Sequence, residues 1–322
     1  MSLVEETGRA EAVQQLALPI DSPFTGMVKN DRNTMVFNFF ALTKERVTSL
    51  PEYDDGKIRI SVRGTEKGIA NIWDKEVLIY VASIIQDKIN RGEPVTNQVN
   101  FTAHDFFRVV GRDVGGKDYD RLEEALVRLQ GTQVTTNIET GGEGEDGAFS
   151  WISTYKMMYR RNARGEKVMK SVRVEICDWL FRAISRDKKM LTYDHDYFSL
   201  PPIERRLYEI ARAHCGMQKA FRIGLEKLYR KVGAEMPIRN FKDRLKKLSE
   251  KGRSLPEYGM VLIDPREKPA AAASRGRKAP PPPGRLPLKA WQVYFFRRDS
   301  LSTMAPPSAA PLVEDDVLDM GD

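Results

Sequence analysis

Six positions in this chain recur at one fixed separation. Phe107, Arg108, Val110, Gly111, Tyr119 and Leu126 match Tyr229, Arg230, Val232, Gly233, Phe241 and Leu248, each pair 122 residues apart. A constant offset shared by aromatic, basic, aliphatic and glycine positions predicts one structural unit built twice. Coincidence of two helical periods is the competing explanation, and the shared glycine at a shared spacing weighs against it.

The first copy lies within Phe101 to Asn137, FTAHDFFRVVGRDVGGKDYDRLEEALVRLQGTQVTTN. Phe106, Phe107 and Val110 make one face of a short helix. Gly111, Gly115 and Gly116 bracket a turn. Tyr119, Leu122, Leu126 and Leu129 give the next helix an apolar face, and Gly131 is expected to end it. Thr132–Glu139 reads as a strand, Gly141–Gly147 as a turn and Phe149–Tyr159 as the returning strand. That order is a helix-turn-helix followed by a hairpin, or wing. Before it, Thr34–Leu42 and Lys57–Arg63 read as strands, and Ile72–Asn90 as a helix with Trp73, Val77, Tyr80, Val81, Ile84 and Ile85 facing a core. After it come a strand at Val172–Ile176 and a helix at Trp179–Ile184.

The second copy follows. Ser199 caps a helix carrying Pro201 and Pro202 in its first turn. Leu225, Leu228, Tyr229 and Val232 form a short helix ending at Gly233, and Phe241, Leu245 and Leu248 face inward from the next. Tyr258–Asp264 and Ala290–Phe296 read as strands of a hairpin. Between them residues 265–287, rich in alanine, proline and basic side chains, are expected to be a disordered loop.

The chain has 322 residues, long enough for two modest domains with separate cores. The expected fold is α+β: two tandem winged helix-turn-helix domains with β-hairpin wings and disordered termini. The expected divisions are a mobile arm over 1–30, a first winged-helix domain over 31–186, a second over 187–300, and a proline-rich, acidic tail over 301–322.

Charge is distributed unevenly over these segments. In order they carry net charges of −2 for 1–30, +1 for 31–186, +13 for 187–311 and −5 for 312–322. The second domain therefore suits a polyanion, because each phosphate it neutralises releases counterions. A merely solvated basic surface is the plain alternative. No apolar run approaches the roughly 20 residues that cross a membrane. The N-terminal stretch is acidic and lacks a signal-peptide layout, so the expected location is cytoplasmic.

Chemistry-bearing residues are sparse. Cys177 and Cys215 cannot build a disulfide framework and read as buried reduced thiols. His104, His195 and His214 are scattered, with no HEXXH and no His-x-His pair, so neither a metal site nor metal-dependent strand nicking is expected. No catalytic residue and no cofactor is assigned. Gly111–Asp118, GRDVGGKD, differs from a phosphate-binding loop by one residue, since Asp118 stands where Ser or Thr would hold Mg²⁺. Met260–Asp264 imitates the strand and Asp that accompany such a loop. Three features oppose an ATPase: no alternating strand–helix series for a parallel sheet, the distance of Asp264 along the chain, and a second copy that keeps Gly233 but no phosphate loop.

The second helix of each helix-turn-helix is the candidate DNA reader. In the first copy it offers Lys117, Arg121 and Arg128, interleaved with Asp118, Asp120, Glu123 and Glu124. In the second it offers Arg239, Asn240, Lys242, Arg244, Lys246 and Lys247, opposed by Asp243. Arg and Asn can pair bidentately with guanine and adenine, whereas lysines favour phosphates. Arg275, Arg277 and Lys278 in the loop add backbone or minor-groove candidates.

FTAHDFFRVVGRDVGGKDYDRLEEALVRLQGTQVTTNI, with NIWDKEVLIYVASII before it and SLPPIERRLYEIARAHCG after it, resembles RepA-type plasmid replication initiators over about residues 30 to 298. The resemblance implies a protein that binds origin repeats (iterons) in double-stranded DNA, recruits host replication proteins, and exists as a homodimer, repressing its own gene, and as a monomer that starts replication. It also implies that the first winged helix serves dimerisation and backbone contact while the second reads the iteron. The expected function is thus a non-enzymatic, sequence-specific initiator of plasmid replication. The alternatives are a winged-helix transcriptional regulator without a replication role and the P-loop-like ATPase.

Overall fold

A computed structural model describes residues 20–165, 167–215, 218, 220–252, 255–265 and 287–299. The expectations made for residues 1–19, for the basic loop over 266–286 with Arg275, Arg277 and Lys278, and for the tail lie outside these.

The first half opens with β1 (Lys29–Asp31) and α1 (Arg32–Val36), capped by the Asp31 carboxylate, which accepts the Thr34 N–H at 3.1 Å. The strand expected over Thr34–Leu42 is thus a short helix followed by irregular chain. Phe39 and Phe40 both contact Trp151, at ring separations of 5.4 and 5.3 Å. Adjacent residues of a strand face opposite ways, so a strand could not deliver both to one partner.

Then come β2 (Tyr53–Asp54), β3 (Arg59–Arg63) and α2 (Lys75–Asn90). Trp73 lies before the helix rather than on it. Every residue of α2 from Lys75 to Ile85 is buried, so it is a central helix and not a one-sided one. β4 (Gln98–Phe101) leads into α3 (Ala103–Val109), capped by Thr102, and α4 (Gly116–Gly131), which buries Leu122, Ala125, Leu126 and Leu129. Gly111 stands after α3 at φ +67°, a left-handed conformation that glycine adopts without steric cost. Gly131, by contrast, is the last helical residue and does not take a left-handed φ. A side chain there would meet Thr65 at 3.2 Å, which gives its smallness a packing reason.

The strands after α4 depart from the expected hairpin. β5 (Gln133–Thr136) pairs mainly with β3, and with only the two residues of β6 (Phe149–Ser150). The long hairpin is instead β7 (Ile152–Arg161) against β8 (Lys167–Ile176). β4 adds to β8, giving the sheet order β4-β8-β7. Thr132–Ser150 therefore joins a separate sheet, β2-β3-β5-β6. α5 (Asp178–Ser185) and β9 (Met190–Thr192), paired with β1, close this half.

The second half follows a 3-10 turn at His195–Ser199. It contains α6 (Pro202–His214), β10 (Ala220–Gly224), α7 (Leu225–Val232), α8 (Ile238–Lys251), β11 (Tyr258–Ile263) and β12 (Gln292–Arg297). Pro201, not Ser199, precedes the first turn of α6; the Ser199 hydroxyl donates to the Asp196 carbonyl at 2.7 Å. The sheet order is β10-β12-β11.

The repeat is therefore structural. Each half runs helix, strand, helix, helix, hairpin, and in each the strand before the helix pair joins the last strand of the hairpin. The starts of α3 and α7, and of α4 and α8, keep the separation of 122. Gly233 adopts φ +71°, as Gly111 adopts +67°. Phe107 meets Tyr119 edge-on at 5.4 Å, and Tyr229 meets Phe241 edge-on at 5.5 Å. The buried apolar side chains nevertheless form one continuous cluster through both halves, not two separate cores. Among the described residues no helix is long and apolar enough to cross a membrane.

Candidate nucleic-acid interface

Helix α8 turns Phe241, Leu245 and Leu248 to the core, a spacing that leaves the opposite face outside. That face carries Arg239, Asn240, Lys246 and Lys247, all exposed and without a polar partner among the described residues. Lys242 is half-buried, its ammonium 4.4 Å from the centre of the Trp291 ring. This cation–π contact tethers the side chain but leaves its charge at the surface. Arg244 differs. One terminal nitrogen lies 2.9 and 2.7 Å from the two carboxylate oxygens of Glu204, in the first turn of α6. Its guanidinium is engaged in holding α8 against α6.

Helix α4 offers less. Lys117 is exposed and unpaired among the described residues. Arg121 pairs with Asp118 at 2.9 Å. Arg128 grips Asp74, just before α2, through Nε at 2.7 Å and a terminal nitrogen at 2.9 Å. These hydrogen bonds with Asp74 raise the Arg128 guanidinium above its ordinary value. Exposed Asp120, Glu123 and Glu124 line the same helix. Over its whole length α4 carries a net charge of −1 and α8 a net charge of +4.

One basic surface escaped the sequence reading. Beyond Met157 and Val172, where β4 stops, β7 and β8 continue as a two-stranded ribbon. Arg160, Arg161, Arg164, Lys167 and Lys170 are all exposed on it, and Lys156 is exposed at its base. Tyr159, 52% exposed, has the Lys167 ammonium 4.8 Å from its ring centre. Residues 156–170 carry a net +5. Averaging charge over residues 31–186 hid this, although the run KMMYRRNARGEKVMK holds the signal.

The GRDVGGKD segment joins helix α3 to helix α4. A phosphate-binding loop joins a strand to a helix beside a parallel sheet, whereas all strand pairs here are antiparallel. An open cleft of about 660 Å³ lies beside it. Its arginines already have acidic partners, Arg112 with Glu76 at 2.6 Å, Arg121 with Asp118 and Arg128 with Asp74, and the Lys44 ammonium lies 5.0 Å from the Trp73 ring centre. Among the described residues no group of three or more His, Cys, Asp or Glu side chains could hold a metal ion. Cys177 and Cys215 are free and buried, and burial pushes each thiol up to about 12.

Comparison with known proteins agrees with this architecture. The family model described as RPA, Replication initiator protein A, matches residues 29–260. A protein of Wigglesworthia glossinidia brevipalpis named "Putative replication protein" is 35% identical over 235 residues, 72% of this chain and 84% of that protein. Among solved structures, domains 2 and 3 of RctB superpose with a TM-score of 0.54 at 15% identity, covering 83% of this chain and 98% of that one. At that identity the likeness is one of fold, a mixed α/β architecture.

Proposed function

The chain belongs to the replication initiator protein A family, and from that membership we propose that it starts replication of a plasmid by binding repeated origin sequences in double-stranded DNA. The observation that carries this reading is the outer face of α8, with Arg239, Asn240, Lys246 and Lys247 exposed and unpaired among the described residues. Arg239 and Asn240 stand at the start of that helix, where a side chain entering the major groove reaches base edges. Lys242, Lys246 and Lys247 suit phosphates, which fix register without reading sequence.

We read residues 31–186 and 187–300 as two winged-helix units. Support comes from the shared element order and the matching sheet orders β4-β8-β7 and β10-β12-β11. In this reading β7–β8 is the first wing and a phosphate-contacting surface. Lys117 and Arg121 contribute weakly beside the acidic residues of α4, and Arg128 and Arg244 act by anchoring their helices. Recruitment of host replication proteins and a dimer that represses its own gene belong to the same proposal. Function rests on binding energy, with no catalytic step assigned to any residue.

A mobility-shift titration on duplexes carrying the repeats beside its gene tests the reading. The expected result is preference for those repeats over scrambled duplexes at fixed salt, on the order of 10³-fold. Binding that is steep in salt but indifferent to sequence would sink it.

A further inference from the structure

Helices α2 and α6 meet at the junction of the two halves through several charged clusters, linked by neighbouring residues along each helix. Asp74, Lys75 and Glu76 are consecutive at the start of α2. Asp74 holds Arg128 of α4. The Lys75 ammonium lies 2.6 Å from Glu209 of α6 and also donates to the Thr34 carbonyl at 2.8 Å. Glu76 pairs with Arg205 of α6 at 2.7 Å and with Arg112 of the α3–α4 turn. On α6, Arg206 pairs with Glu209 and donates to the carbonyls of Met35 at 2.9 Å and Lys231 at 3.0 Å. Two residues earlier, Glu204 holds Arg244 of α8.

Followed end to end, the clusters run from α4 through α2 and α6 to α8. Their central members, Lys75, Glu76, Arg205, Arg206 and Glu209, are buried. Glu209 is fully enclosed: one carboxylate oxygen accepts from Lys75, Tyr193 and Tyr197, and the other from Arg206. Burial alone would raise this carboxyl. Lys75 and Arg206 reverse the effect and hold it below its ordinary value.

A purely apolar junction tolerates sliding, because the hydrophobic effect has no direction. A buried set of ion pairs does not, since any other register strands a charge without a partner. We propose that this ionic spine fixes the disposition of α8 relative to the α4–β7–β8 side, making Glu204, Lys75 and Glu209 positioning residues that set the spacing of DNA contacts. The spacing claim rests on the DNA-binding reading above; the fixed disposition does not. A rigid pair of contact surfaces demands one separation and one helical phase in its target.

The test uses the full chain with spin labels at Lys117→Cys and Lys246→Cys, both exposed, while the native cysteines are buried. Electron–electron distance measurement without DNA should give one narrow distribution. Glu204→Gln should broaden it, and the swapped pair Glu204→Arg with Arg244→Glu should narrow it again. Glu209→Gln should broaden it further. Should that fully enclosed variant fail to fold, the Glu204 series, whose partner Arg244 is 36% exposed, still decides. A broad distribution in the wild type, or one unchanged by Glu204→Gln, overturns the inference whatever the protein does with DNA. The second arm inserts about 5 bp, half a helical turn, between the α8 and hairpin footprints on a repeat. Wild type should lose about 10-fold in affinity, as much as the hairpin charges contribute, and Glu204→Gln should lose less on insertion. Equal wild-type affinity for both duplexes, with hairpin protection shifted along the DNA, also overturns it. Absence of any repeat preference beside a narrow distance distribution removes the DNA reading and supports the fixed disposition.

Discussion

Helix α4 and helix α8 hold the same position in their halves; each follows a left-handed glycine and packs one ring edge-on against an aromatic of the preceding helix. Each is tied to the start of its half's first long helix by an arginine on a carboxylate, Arg128 on Asp74 and Arg244 on Glu204. Their outer faces share nothing. α4 presents Asp120, Glu123 and Glu124 around Lys117 and Arg121; α8 presents Arg239, Asn240, Lys246 and Lys247 around Asp243. What is common between them builds the fold, and what differs is the charge each outer face presents. The net charges of −1 and +4 then rank the two helices as ligands for a polyanion.

Charge reversal is the severest way to break that ranking. Arg239→Glu with Lys242→Glu should lower affinity for a repeat-bearing duplex by about 10³-fold, since each lost contact is worth roughly 1–3 kcal/mol and the new carboxylates repel phosphate. Lys117→Glu with Arg121→Glu should cost about 5-fold or less. Fluorescence anisotropy at one salt concentration measures both. The reverse order would mean that the two halves have exchanged roles.

A second difference lies at the junction. The first half adds α1 there, and Asp31 at its cap is buried. Burial pushes its carboxyl up to about 7; the Thr34 N–H lowers it, Asp187 raises it and Lys75 lowers it. An acid raised on folding binds its proton in the native state after the unfolded chain has released it. Asp31 therefore contributes stability below about pH 4 that is lost as pH rises through 7. Asp31→Asn keeps a capping oxygen and removes the titration. Relative to wild type, the variant should gain on the order of 2–4 kcal/mol between pH 4 and 8 in urea unfolding. A difference independent of pH would show that Asp31 is ionised in the folded protein, paired across the junction.

The sequence made the repeated core legible because its signals are local. Gly111 and Gly233 mark left-handed turns, and Leu122, Leu126 and Leu129 announce a helical face over one or two turns. Strand pairing is a different matter. Whether β5 joins β3 or becomes a wing is decided by partners some 70 residues away, and alternation along β5 is the same in both cases. Phe39 and Phe40 were hidden for a related reason: their apolar run matches a buried strand until both rings are seen on Trp151. The junction charges were invisible too. Lys75 and Glu76 look like solvated helix residues until Glu209 and Arg205 arrive from the other half. Among site residues, Arg128 and Arg244 read like their exposed neighbours, and only their carboxylate partners separate them.

The two equivalent glycines sharpen the comparison within the core. A side chain at Gly111 would meet nothing within 4 Å, so Gly111→Ala should cost about 1 kcal/mol, the strain of a left-handed alanine. At Gly233 the same methyl would stand 2.1 Å from the Asn38 amide nitrogen. Gly233→Ala should then cost roughly 2–3 kcal/mol, strain plus overpacking. Urea midpoints of the pair measure the gap. Equal costs would mean that Asn38 swings away freely and that the second turn does not press on the first half.

A modest expected effect concerns the surface that averaging concealed. Arg160, Arg161 and Arg164 sit on a ribbon that projects past its sheet, and among the described residues the Arg161 guanidinium alone of the three donates to a backbone carbonyl, that of Gly165 at 2.7 Å. Such a ribbon gives loosely held charge at a distance from the core, suited to phosphates spread along a backbone and unsuited to fixed base-edge geometry. Replacing all three with alanine should weaken binding about 10-fold and lower the salt slope by about 2–3, equally for repeat and scrambled duplexes. A loss confined to the repeats would instead make the ribbon a reader of sequence. The division of labour between a reading second half and an architectural first half would then fail, even with α8 still dominant.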